Sequence, residues 1–220
     1  MKYKCLVLDH DDTVVDSTAS IHYPCFVDYL AEFYPHLKDN YDRATFFRKN
    51  FDPGIFALLT DEVGLGEKEL AHEDQFWRDY VKKHVPHAFD GMREIIDEYL
   101  TRGGISAVVS HSYREYIERD YRENRLQMPS LIYSWDMPKE ERKPSPFALF
   151  DIMQRLSLDR SEILVVDDLK PGYDMARAAG CDFAAAGWAY DVPEIESFMR
   201  ANCDYYLSSV AELDSLLFGE

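Results

Sequence analysis

The chain has 220 residues, 46% of them hydrophobic, with 15 Tyr and 13 Phe spread along its length, a content that excludes disorder as the default and allows one sizeable domain or a core with a smaller one inserted. A formal net charge of −17 opposes phosphate backbones and anionic lipid. The basic clusters are short pairs such as Arg48-Lys49, Lys82-Lys83 and Arg142-Lys143, so neither nucleic acid nor a membrane is expected as a partner.

In chain order, the apolar run at 4–8 is the first expected strand, and it ends on acids. Residues 17–87 then repeat apolar and aromatic positions at helical spacing, with Phe26, Leu30 and Phe33 early and Trp77, Tyr80 and Val81 late. Pro53-Gly54 and Gly64-Leu65-Gly66 break that pattern into pieces. A return linker is expected at 86–90 and a helix at 92–100. Further strands are expected at 105–109, 131–134, 163–166 and 183–185, with a short edge at 205–207. Helices at 113–121, 145–156, 171–179 and 210–217 lie between or after them.

Short apolar runs that end in Asp or Ser and alternate with amphipathic segments are the rhythm of a parallel sheet with crossover helices. The interval from residue 8 to residue 105 far exceeds one crossover. The expected fold is α/β: a Rossmann-like doubly wound parallel sheet built from 1–16 and 88–220, with a small α-helical cap inserted at 17–87. Cys5, Cys25, Cys181 and Cys203 show neither CxxC spacing nor a secreted disulfide pattern. The N-terminal run lacks the sections of a signal peptide, and no apolar stretch approaches spanning length. A cytoplasmic protein with structural thiols is expected.

The first strand runs into Asp9-His10-Asp11-Asp12-Thr13. Asp9 and Asp11 share a face of extended chain at the carboxyl end of a parallel strand, where open sheets bind ligands. A carboxylate there can attack phosphorus, and its neighbour can protonate a leaving oxygen and then activate water. Taken alone, two acids at a strand end also suit a solvated, helix-capping turn. These residues resemble the haloacid dehalogenase superfamily, whose opening motif is Asp-x-Asp-x-Thr, with Gly usual where this chain has Asp12.

Three further matches follow in that family's order. Ser110 closes the run 105–109 and can hold phosphoryl oxygens together with nearby backbone amides, although a serine there is also an ordinary helix cap. Lys143, in Arg142-Lys143-Pro144-Ser145-Pro146, can neutralise charge on the nucleophile and the phosphoryl group. Asp167-Asp168 ends the 163–166 strand, and adjacent buried acids repel unless a cation is present. The resemblance implies Mg²⁺ held by the Asp9 carboxylate, the Asp11 carbonyl and the Asp168 carboxylate, with Asp167 nearby or ligating. Many members carry an acid four residues after the metal-binding Asp, where this chain has Gly172. Asp167 is therefore preferred over Asp174 as the extra acid, as in the beta-phosphoglucomutase-like branch.

The resemblance implies a Mg²⁺-dependent phosphatase acting through an aspartyl phosphate on a small phosphorylated metabolite, phosphoglycolate or a sugar phosphate, as a monomer or homodimer. In the cap, His22, Tyr23, Arg43, Arg48 and Lys49 are candidate contacts, and Arg48-Lys49 is expected to draw an anionic substrate. His111, next to Ser110, is a further candidate for substrate binding. Three alternatives compete. A phosphomutase needs a cap histidine where direct count finds Ile21, with His22 one residue late. A dehalogenase needs no Mg²⁺, which leaves Asp167-Asp168 unexplained. A non-catalytic binding protein would not need Asp9, Asp11, Ser110, Lys143 and Asp168 together.

Overall fold

The computed structural model describes residues 1–219. After β1 (Cys5–Leu8) and β2 (Val15–Asp16) come the helices α1 (Tyr23–Phe33), α2 (Arg43–Phe51), α3 (Ile55–Ala57) and α4 (Glu67–Val81). The chain returns through β3 (His87–Ala88) to α5 (Met92–Thr101), β4 (Ile105–Val109), α6 (Arg114–Glu123), β5 (Leu131–Tyr133) and α7 (Phe147–Leu156). It closes with β6 (Ile163–Asp167), α8 (Lys170–Ala179), β7 (Asp182–Ala186), α9 (Pro193–Asn202), β8 (Tyr205–Leu207) and α10 (Val210–Phe218).

Six strands form one sheet in the order β5-β4-β1-β6-β7-β8, every neighbouring pair parallel. β1 lies in the interior of the sheet and is covered on both faces, which is why its sequence is a continuous apolar run. Leu6 and Leu8 pack with Ile96, Ile117 and Leu213 on one side. Cys5 and Val7 pack with Leu149, Met175 and Ile195 on the other. Helices thus cover both faces, the doubly wound arrangement expected from the strand rhythm. α8 stops at Gly180, whose left-handed φ of 73° lets the Cys181 amide turn back onto the Ala176 carbonyl.

The helices between β2 and β3 have a core of their own, made of Phe26, Tyr29, Leu30, Phe46, Leu58 and Leu65. Asp42 caps α2 by accepting the Thr45 amide at 2.7 Å. The two chains that connect this insertion to the sheet pair antiparallel, Val15 with Ala88 and Asp16 with His87. That pair was not expected, because two-residue strands carry no readable period. α7 begins at Phe147 rather than 145, since Pro144 and Pro146 cannot donate and Pro146 forms the helix N-cap. Among the described residues no helix is long and apolar enough to cross a membrane. All four cysteines are free.

Candidate active site

Strand register brings the chemical groups to one edge. Leu8 is level with Val108 on one side and Val166 on the other, so Asp9, Ser110 and the pair Asp167-Asp168 leave the sheet side by side. The Asp9 amide bonds the Val166 carbonyl and the Ser110 amide bonds the Tyr133 carbonyl, each at 2.9 Å, which extends the ladder to the functional residues.

Lys143 arrives from the loop before α7 and is buried. Its Nζ lies 2.7 Å from Asp167 Oδ2 and 3.0 Å from Asp9 Oδ1, and the Asp9 contact is too poorly aligned to count as a hydrogen bond. Burial would lower this ammonium's proton affinity, but the two carboxylates raise it above its ordinary value. Ligand oxygens of Asp9, Asp167 and Asp168 all lie within 4.8 Å of one another. Burial, with Asp9 and against Lys143, pushes Asp167 up to about 7. Burial and then Asp12 raise Asp168 well above the usual carboxylate range. Three buried carboxylates against one ammonium leave excess negative charge, and a divalent cation with oxygen preference fits that donor set.

Gly172 explains where the extra acid sits. A Cβ at this position would lie 2.0 Å from Asp167 Oδ2, so the Asp167 carboxyl occupies the room that a side chain at 172 would need. Asp174 is instead half exposed and paired with Lys170 at 3.3 Å. Asp12 adopts a left-handed φ of 56°, which accounts for glycine being usual there. Its carboxylate accepts the Ser17 and Thr18 amides at 3.2 and 2.9 Å.

Asp11 points away from the acid cluster, and its carboxylate is filled with donors. Oδ1 accepts from Ser17 Oγ at 2.7 Å and contacts His22 Nε2 at 3.0 Å, while Oδ2 accepts from Ser112 Oγ. Burial alone would raise Asp11, but the His22 ring and the Ser112 bond overcome it and hold the group far below the usual range. His22 is in turn bonded by Trp77, whose indole N–H donates to Nδ1 at 3.1 Å. An indole N–H can only donate, so Nδ1 is unprotonated and Nε2–H faces Asp11. Burial lowers and the Asp11 charge raises the His22 proton affinity, with a net rise, yet a second proton on Nδ1 would break the Trp77 bond.

Direct count put Ile21 at the histidine position, and a π turn at Thr18–His22 changes that outcome. The His22 amide bonds the Ser17 carbonyl at 3.1 Å, five residues back, so the turn absorbs one extra residue. Ile21 is buried against Val81 and Tyr116 instead.

His111 lines the cavity over these groups and contacts the Lys143 carbonyl through Nε2 at 3.0 Å. Burial and the Lys143 charge lower it to about 4, so the neutral ring donates that bond. Ser110 Oγ accepts the Ser112 amide at 3.0 Å. The expectation for Arg48 and Lys49 is not met, because neither lines the cavity. On α2 they point outward, Arg48 to Thr45 and Glu194, Lys49 to Glu62. His10 is also turned away, buried on Asp120 of α6 at 3.0 Å. Ser17, Ser112 and Trp77 carried no separate signal: two are common small polar residues, and the third reads as helix core.

The cavity measures about 450 Å³ and runs from Asp9, Ser110, Lys143 and Asp168 up into the insertion. A reactive cluster at the carboxyl edge of a doubly wound sheet defines an α/β enzyme with its ligand bound beyond the strand ends. The sequence profile described as haloacid dehalogenase-like hydrolase matches residues 6–186, and the chain belongs to this family. It is 23% identical over 217 residues to a phosphoglycolate phosphatase of Vibrio parahaemolyticus, covering 96% of this chain and 94% of that protein. A haloacid dehalogenase-like family hydrolase from Streptococcus pneumoniae shares the fold at TM-score 0.75 and 17% identity, over 98% of each chain. A family hydrolase from Deinococcus radiodurans, solved with bound phosphate and sodium, matches at TM-score 0.70 and 19% identity, over 98% of this chain and 95% of that one.

Proposed function

We propose that this hydrolase is a phosphatase that transfers the phosphoryl group of a small phosphomonoester to Asp9 and then to water. The observation that carries this reading is the buried Lys143 between Asp9 and Asp167, beside an acid cluster with room for a divalent cation. The name of the Vibrio relative supports phosphomonoester chemistry.

An Asp9 carboxylate oxygen attacks phosphorus, forming an acyl phosphate as the bond to the leaving alcohol breaks. Lys143 neutralises charge shared by the nucleophile and the transferring group, and Ser110 Oγ donates to a phosphoryl oxygen. Asp9, the Asp11 carbonyl and Asp168, with Asp167 beside them, would hold a Mg²⁺ ion, which would supply positive charge to the phosphoryl oxygens. Asp11 gives a proton to the leaving oxygen and later takes one from the attacking water. Its donor-filled carboxylate is the form suited to the second task. A substrate dianion nearby raises its proton affinity for the first. The helical insertion acts as a cap that keeps bulk water off the acyl phosphate.

Hydrolysis of a phosphomonoester panel, abolished by EDTA and by Asp9→Asn, is the expected result. Turnover that survives Asp9→Asn would refute it. The His22 contact to Asp11 favours a second reading, a phosphomutase in which a substrate hydroxyl replaces water. Assays that follow isomerised ester against free phosphate separate the two.

A further inference from the structure

The cavity contains more than the phosphoryl site. Beyond Asp11 its walls are apolar and aromatic, with Phe26, Phe46, Leu59, Leu70, Trp77 and Tyr113 among them. Residues Leu70, Asp74 and Trp77 of α4 recur at helical spacing, so one face of that helix forms much of the far wall. Its volume of about 450 Å³ is that of a small-molecule site, and a two-carbon leaving group would fill little of it.

Charge is distributed unevenly along this space. The basic groups in the lining are His22, His111 and Lys143, and each is engaged at the phosphoryl end, on Asp11, the Lys143 carbonyl, and Asp9 with Asp167. Among the described residues no arginine or unpaired lysine lines the far end. Two acids do, Glu73 and Asp74. Asp74 accepts the Tyr113 hydroxyl at 2.9 Å. Among the described residues Glu73 has neither an ion pair nor a side-chain hydrogen bond, although it sits on the cavity wall of an aromatic chamber.

Resting on the phosphatase reading of the same cavity, we infer that the leaving group is an amino alcohol with an apolar body, whose cationic nitrogen sits among the aromatic rings and faces Glu73. A carboxylate-bearing leaving group such as glycolate would meet two acids and no cation in the lining there, the Arg78 guanidinium being stacked on the Tyr113 ring at 4.5 Å, a like-charge approach in an apolar cavity. A quaternary or protonated amine meets ring faces and an unpaired carboxylate, the chemistry that selects alkylammonium ligands. Burial, with Asp74 adding its charge, raises Glu73 to about 7, and a bound cation favours its ionised form.

The test compares phosphocholine with phosphoglycolate as ligands by calorimetry, on the Asp9→Asn chain with Mg²⁺, so that neither is consumed. The expected result is that phosphocholine binds at least about tenfold more tightly, that Glu73→Gln removes the difference, and that Glu73→Lys reverses it. The affinity ratio is taken on a single protein preparation, so partial loss of folding cancels. Equal affinities, tighter phosphoglycolate binding, or a ratio unmoved by Glu73→Gln overturns the inference. Should the ratio hold while the wild-type protein hydrolyses no ester of either kind, the phosphatase reading fails and the cation preference stands.

Discussion

Gly172→Ala separates helix propensity from site geometry by the sign of its effect. Gly172 lies in α8 with no positive φ, so on propensity alone alanine should stabilise by about 0.5–1 kcal/mol. Its new Cβ would meet Asp167 Oδ2 at 2.0 Å and Cγ at 2.2 Å, distances no packed atoms tolerate. The Asp167 carboxyl must swing away. It then loses the Lys143 ammonium at 2.7 Å and the Leu169 amide at 2.8 Å. Breaking a buried ion pair on one side costs about 3–5 kcal/mol, which exceeds the propensity gain several-fold. The expected net loss is about 2–4 kcal/mol by urea denaturation, with Mg²⁺ affinity falling about 10–100-fold. In an Asp167→Gly background the three clashing atoms, Oδ2, Cγ and Cβ, are all gone, and the same glycine replacement should be neutral or stabilising. A stabilised Gly172→Ala protein with unchanged Mg²⁺ affinity would refute the idea that Asp167 occupies the room at 172.

Lys143→Met removes the ammonium between Asp9 and Asp167. Phosphatase activity should fall by at least about 100-fold, while Mg²⁺ raises the Tm of the variant more than that of the wild type; an unchanged rate contradicts the assigned role. Trp77→Phe deletes the donor at His22 Nδ1, so the imidazole titration midpoint by NMR should rise by about 0.7 unit, the worth of one net hydrogen bond. A fall would show that the indole does not hold the neutral ring. Asp167 is raised from 3.8 to about 7 in the metal-free protein. Between those values the folded chain binds more protons than the unfolded one, so this group's contribution to stability falls as pH rises through the window. Protons also compete with the metal below it. The Tm gain from Mg²⁺ should therefore grow from about pH 5 to about pH 8, and a gain that shrinks with pH would contradict this assignment.

Much of the sheet was legible because parallel strands buried on both faces spell continuous apolar runs, as Cys5–Leu8 and residues 163–166 do. The acids and Ser110 were legible for the same reason: polar residues that terminate such runs stand out. Lys143 stood out through the resemblance of Lys143-Pro144-Ser145-Pro146 to the family's Lys-Pro-x-Pro segment. The contacts of the insertion were not legible, because charge alone does not reveal direction. Arg48 and Lys49 looked like anion binders and instead face Glu194 and Glu62. His22 was displaced in the count by a turn whose extra residue shows only in backbone hydrogen bonds. Glu73 lies in a helical stretch that reads as an ordinary solvated face until the cavity beside it is seen.

The central claim is that Asp9 carries the phosphoryl group. Acid quenching during turnover of a phosphomonoester with Mg²⁺, followed by peptide mass spectrometry, should find one added phosphoryl group on the peptide containing Asp9, and none in Asp9→Asn protein. Turnover with no phosphorylated aspartate, or with the group on another residue, would contradict the account.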